Sequence, residues 1–121
     1  MVVQRVRGVP AARTWLRRAR QTTGPLSISV VSIAEVTGGM RTEERSGVWR
    51  LLATLRTEGV NEVIARRAGE LMRRYRASHA TIGLGDYLIA ATVEVRGLEL
   101  ASLNVRHFPM LKRLRTPFRL P

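Results

Sequence analysis

An α/β fold with a mainly parallel sheet is the class this sequence predicts, on three observations. Two β-rich runs, Leu26 to Val31 and Leu98 to Leu103, are each bounded by turn residues. Segments with apolar residues at helical spacing stand before, between and after them. Strand and helix therefore alternate along the chain, the order that builds parallel sheets through crossover helices. The chain has 121 residues, 45% of them hydrophobic, which suits a single domain over residues 1–121 with one core.

In order, Met1 to Arg7 places Val2, Val3 and Val6 on one helical face and ends at Gly8. Pro10 suits a helix's first turn. The helix from there to about Gln21 buries Trp15, Ala11, Ala12 and Ala19 and turns Arg13, Arg17, Arg18 and Arg20 outwards. Thr23-Gly24-Pro25 stops it. The strand Leu26 to Val31 alternates serine with β-branched residues. Ser32-Ile33-Ala34-Glu35 then reads as a capping box opening a short helix that Gly38-Gly39 ends. Glu43 and Glu44 begin the next helix and Arg50 and Arg56 sit near its end, both favourable to the helix dipole. Its buried stripe is Val48, Leu51, Leu52 and Leu55. Gly59 to Val63 connects, with room for a very short strand. A helix over about Glu62 to Ala77 buries Ile64, Ala68, Leu71, Met72 and Tyr75, with Arg66, Arg67, Arg73, Arg74 and Arg76 opposite. The most apolar helix runs from Leu84 to Val95, capped by Gly97. After the strand Leu98 to Leu103, Pro109 begins a short helix to Leu114, Pro117 breaks it, and Phe118 to Leu120 adds an edge strand.

No run of about 18 apolar residues exists, so no membrane span is expected. The N-terminus lacks the apolar run and cleavage site of a signal peptide. With no cysteine, disulfides and thiolate metal sites are excluded, and cytoplasm is the expected compartment. Net charge is +12, and Lys112 is the only lysine. Arginine forks match phosphate bidentately, which points to a polyanion or an acidic protein partner. GC-rich codon usage accounts for arginine over lysine, but not for the shortage of acids.

In parallel α/β sheets the functional crevice lies at the C-terminal strand ends. Glu35 closely follows the first clear strand, Asn104 follows the second, and Asp86, the only aspartate, opens the apolar helix. Three polar side chains can therefore meet at one end of one sheet. Each has a plainer reading. Glu35 closes a capping box with Ser32. Asp86 stabilises a helix N-terminus, worth about 0.3–1 kcal/mol. Asn104 tolerates a turn. Against this, the face of Asp86 continues through Ile89, Ala90 and Val93, and a carboxylate aimed at a core needs a compensating cation. His79 reads as a loop histidine, and His107 as helping to start the last helix or lying in solvent, a general-base role being the remaining alternative. One aspartate and two loop histidines assemble no Ser/His/Asp set, and Gly38-Gly39 and Gly83-Leu84-Gly85 lack a P-loop lysine or dinucleotide fingerprint. The arginines of the Glu62 to Ala77 helix are first a solvated face and second an RNA or protein contact. No helix-turn-helix pair with a polar recognition helix is found.

Ser29-Val30-Val31-Ser32-Ile33-Ala34-Glu35-Val36, Gly83-Leu84-Gly85-Asp86-Tyr87-Leu88-Ile89-Ala90-Ala91 and Ala101-Ser102-Leu103-Asn104-Val105-Arg106-His107-Phe108 together resemble the PIN-domain family, and within it the VapC-type toxins. The resemblance runs from about Val2 to Leu114. It implies a three-layer α/β/α domain in which carboxylates at the strand ends hold Mg²⁺ or Mn²⁺, activating water to cut RNA. Carried over by motif, Glu35 and Asp86 are metal ligands and catalytic, Asn104 orients water or substrate, and Ser102 and Arg106 contact substrate. It also implies an RNA substrate, a cognate antitoxin and a homodimer, with no membrane involved. The family's first strand, ending in Asp-Thr or Asp-Ser, would lie before Met1. The chain as numbered is therefore expected to lack that strand and its aspartate, and to be weak or inactive as a nuclease. The competing reading is a module that binds RNA or an antitoxin without cutting.

Overall fold

The computed structural model describes residues 2–3, 17–21, 26–101, 107–111 and 114–115. Five strands form one sheet: β1 (Val2–Val3), β2 (Ser27–Ser29), β3 (Arg56–Glu58), β4 (Leu100–Ala101) and β5 (Leu114–Arg115). Their order is β3-β2-β1-β4-β5, with every neighbouring pair parallel. The helices are α1 (residues 17–21), α2 (Val30–Gly39), α3 (Arg45–Leu52), α4 (Glu62–Tyr75) and α5 (Leu84–Arg96). They cover the sheet in the expected three-layer α/β/α arrangement.

The first difference from sequence is β1. Val2 and Val3 do not share a helical face but form the central strand, with Val2 between Ser27 and Leu100 and Val3 between Ile28 and Ala101. A one-turn helix gains almost nothing, because its nucleus is costly. Two β-branched residues between two open strand edges satisfy ladder hydrogen bonds on both sides. The middle position, expected to be empty, is thus filled by a short strand.

The other shifts are local. β2 ends at Ser29 rather than Val31, because the Ser29 hydroxyl accepts from the Val31 amide at 3.1 Å and caps α2 there. The capping box expected from Ser32 to Glu35 does not form. Ser32 lies inside the helix, buried, and Glu35 sits mid-helix. Glu43 and Glu44 belong to a 3-10 turn, Thr42–Glu44, where Glu44 accepts from the Arg41 amide at 3.0 Å. Arg56 belongs to β3, not to a helix end, because its amide donates to the Leu26 carbonyl at 2.9 Å. Pro109 and Met110 form a turn instead of starting a helix, and Leu114 lies in β5. The start of the first helix with Trp15, and the edge strand at Phe118 to Leu120, fall outside the described residues.

Two apolar clusters hold the layers. Ile64, Ala68 and Leu71 of α4 pack with Tyr87, Ile89, Ala90, Ala91 and Val93 of α5, with Leu100 and with Phe108. Ile28 of β2 packs with Val48 and Leu52 of α3. The spacing of these residues is the helical stripe read from sequence. Arg67 ties α4 to α5: its guanidinium donates to both carboxylate oxygens of Glu94, at 3.0 and 2.8 Å, and to Glu70 at 2.8 Å. Those hydrogen bonds, Glu94 first, raise its pKa further above the ordinary arginine value. It is therefore not part of a free arginine face.

Candidate functional site

α2 begins where β2 ends, so its first turns stand at the C-terminal edge of the sheet. α5 runs in the same sense and is placed through its far end. Its C-terminus closes on Gly97 (φ 62°), with Leu98 donating to the Val93 carbonyl at 2.9 Å and Gly97 to the Glu94 carbonyl at 3.3 Å. This paired C-terminal cap turns the chain directly into β4. The N-terminus of α5 is thereby delivered to the same sheet edge as α2, the edge where parallel sheets place their chemistry.

The two helices meet at Gly85. A Cβ on that residue would lie 3.3 Å from Val31 Cγ1 and 3.5 Å from Glu35 Oε1. Val31 and Glu35 are one turn apart on α2 and so share a face, and that face is turned to the first turn of α5. The Glu35 carboxylate thus rests against the backbone of the residue preceding Asp86. Glu35 is solvent-exposed and the Asp86 side chain is largely covered.

Asp86 is held locally. Its Oδ2 accepts from the Gly83 amide at 3.4 Å and lies 2.9 Å from His107 Nδ1. A carboxylate oxygen only accepts, so Nδ1 carries the shared hydrogen. The sequence expectation that His107 starts the last helix or lies in solvent is therefore incomplete. The signal available in sequence was its position just before Phe108, a bulky residue that is buried at 1% exposure and anchors the backbone there. On the far side of Asp86, Tyr87 is buried with its hydroxyl lacking a hydrogen-bond partner among the described residues. Burial, and then the Asp86 charge, push its pKa up. Ser32 Oγ is likewise buried and without a partner among the described residues. Ser102, Asn104 and Arg106 lie outside the described residues.

Two hard carboxylate groups stand at one sheet edge, and such oxygen donors have the chemistry that suits Mg²⁺ or Mn²⁺. Mg²⁺ commonly binds through one or two carboxylates, keeps several waters and completes its shell with substrate phosphate. Among the described residues no group of three or more His, Cys, Asp or Glu converges. A cavity of about 350 Å³ lies elsewhere, lined by Arg17, Arg20, Arg50, Leu26, Leu51 and Leu55 among others. Leu26 and Leu55 precede β2 and β3, which puts this cavity at the N-terminal edge of the sheet, away from the carboxylates.

The family model for the PIN domain matches residues 5–113. Ribonuclease VapC10 of Mycobacterium tuberculosis H37Rv is 62% identical over 121 residues, spanning 100% of this chain and 90% of that protein. Ribonuclease VapC19 of the same strain is 37% identical over 118 residues, 98% of this chain and 94% of that one. A toxin–antitoxin complex from Klebsiella pneumoniae has a chain that superposes with a TM-score of 0.72 at 24% identity, covering 93% of this chain and 88% of that one. VapBC2 from Rickettsia felis, bound to a fragment of promoter DNA, also gives 0.72, at 20% identity over 88% of this chain and 84% of that one. At those identities the structural likeness speaks for the fold. With a family match across most of the chain and 62% identity to a VapC protein along the whole of it, the chain belongs to the PIN-domain family, among its VapC-type members.

Proposed function

We infer that this protein is an endoribonuclease of the VapC type, hydrolysing RNA phosphodiester bonds as the toxin of a toxin–antitoxin pair. The observation that carries the site is the seating of Glu35 against Gly85, beside Asp86, at the C-terminal edge of a parallel sheet. Glu35 and Asp86 would hold a divalent ion, Mg²⁺ or Mn²⁺. When bound, such an ion lowers the pKa of a coordinated water and neutralises charge on the phosphate. The chain's own part is to fix the two carboxylates and to attract the polyanion. The net charge of +12 does the second. Asn104 would orient water or substrate, with Ser102 and Arg106 against the RNA backbone. The expected partners are the RNA, a cognate antitoxin and a second copy of the chain, in the cytoplasm.

Two carboxylates make a weak cage. Occupancy then depends on substrate phosphate and on metal concentration, so cleavage should be slow at micromolar Mg²⁺ and rise through the millimolar range. The test is RNA cleavage with and without EDTA, for the wild type and Asp86→Asn. Loss of a ligand should lower the rate about 100-fold or more, since the ion contributes several kcal/mol, while RNA binding persists. Binding by both forms, steeply weakened by salt, with cleavage by neither at any metal concentration would instead identify a non-cutting RNA-binding module.

A further inference from the structure

Among the described polar groups near the carboxylates, His107 is one that the reaction leaves without a role and that touches a carboxylate directly. We propose that His107 is a positioning residue that fixes the rotation of the Asp86 carboxylate through Nδ1; this rests on Asp86 being a metal ligand, as read above.

The pair joins residues 21 apart in sequence, from the stretch after β4 to the first turn of α5, at 2.9 Å. Phe108, next in the chain, is locked in the core with α4 and α5, so the ring's attachment point is set by packing. Gly83 N–H and His107 Nδ1–H converge on the same oxygen, Oδ2. A carboxylate gripped on one oxygen from two directions loses its freedom to spin about χ2. A hydrogen bond to a ligating carboxylate of this kind typically carries 10–100-fold in metal affinity. The His107 side chain is 31% exposed against 13% for Asp86, so the ring lies towards the surface rather than inside the core.

Asn and Gln substitutions separate the two ring nitrogens. The amide nitrogen of His107→Asn falls near Nδ1, whereas that of His107→Gln reaches towards Nε2. Mn²⁺ affinity, read by EPR on the full chain, should be within about threefold of wild type for His107→Asn and weakened about 10–100-fold for His107→Gln. The cleavage rate should follow through kcat, with KM for RNA little changed. Circular dichroism confirms that each variant is folded. Retention by Gln with loss by Asn would overturn the proposal, because contact through Nε2 would then be what matters; so would equal loss or no loss in both. Ring ¹⁵N shifts without metal supply an independent reading. They should report hydrogen on Nδ1, with a shift that moves in Asp86→Asn. A neutral ring protonated only on Nε2 would overturn the pair itself. A wild type that shows the Nδ1 signature but binds no Mn²⁺ would sink the metal reading and the positioning role, while leaving the hydrogen bond.

Discussion

At the residue scale, Glu35 and Asp86 differ in what sequence could say about them. The position of Asp86 was legible: a lone aspartate at the head of a helix whose next turns, Ile89, Ala90 and Val93, are all buried. Glu35 was ambiguous, because Ser32 three residues earlier offered it a local capping role. The structure removes that role by capping α2 at Ser29. The contact of His107 is not legible in sequence, because a hydrogen bond across 21 residues leaves no periodic trace. Tyr87 supplies a separate prediction. Its buried hydroxyl lacks a partner among the described residues, and such a group costs about 1–3 kcal/mol to bury. Tyr87→Phe should therefore be neutral or stabilising in urea unfolding; a loss of more than about 1 kcal/mol would mean that the hydroxyl is satisfied. The raised pKa fixes a sign as well. A tyrosine harder to ionise when folded favours the folded state fully below its ordinary value of 10.0 and loses that advantage as pH rises beyond it. Tyr87→Phe should flatten this alkaline decline.

At the element scale, Gly85 and Gly97 do different work. Gly97 sits at φ 62°, left-handed backbone that costs a side chain about 1–2 kcal/mol. Gly97→Ala should lower stability by that amount with cleavage retained, since the cap is at the sheet edge remote from Asp86. Gly85 has ordinary helical backbone, and alanine there would gain up to about 1 kcal/mol of helix propensity. Its Cβ would meet Val31 at 3.3 Å, however, and overpacking costs about 1–3 kcal/mol. A gap short by only a few tenths of an ångström keeps the cost at the low end of that range, so the two effects nearly cancel. Gly85→Ala should leave thermal stability close to wild type while displacing Glu35, lowering cleavage about tenfold or more, as small misplacements at a site do. Stability and activity falling in parallel would show instead a general packing defect. The lesson for reading elements is similar. α4 and α5 were legible almost to the residue because each carries a long apolar stripe and a clear start or stop. Short pieces were not: β1, β3 and β5 are two or three residues long, and their state is decided by open neighbouring edges, which the local sequence does not encode.

At the scale of the whole molecule, the alternation of strand and helix was enough to fix the class, and hence the sheet edge where function collects. It did not foresee that Val2–Val3 would take the central position, because hydrophobic spacing over so few residues fits helix and strand alike. The same topology explains how Glu35 comes to rest against the first turn of α5: both helices start from the C-terminal edge of the sheet. The most direct test of that convergence is a Mn²⁺ titration followed by EPR on wild type, Glu35→Gln, Asp86→Asn and the double variant. A shared ion predicts one site in the wild type, a large loss in each single variant, and little further loss when the two are combined. Independent additive losses, or full Mn²⁺ binding by either single variant, would contradict it.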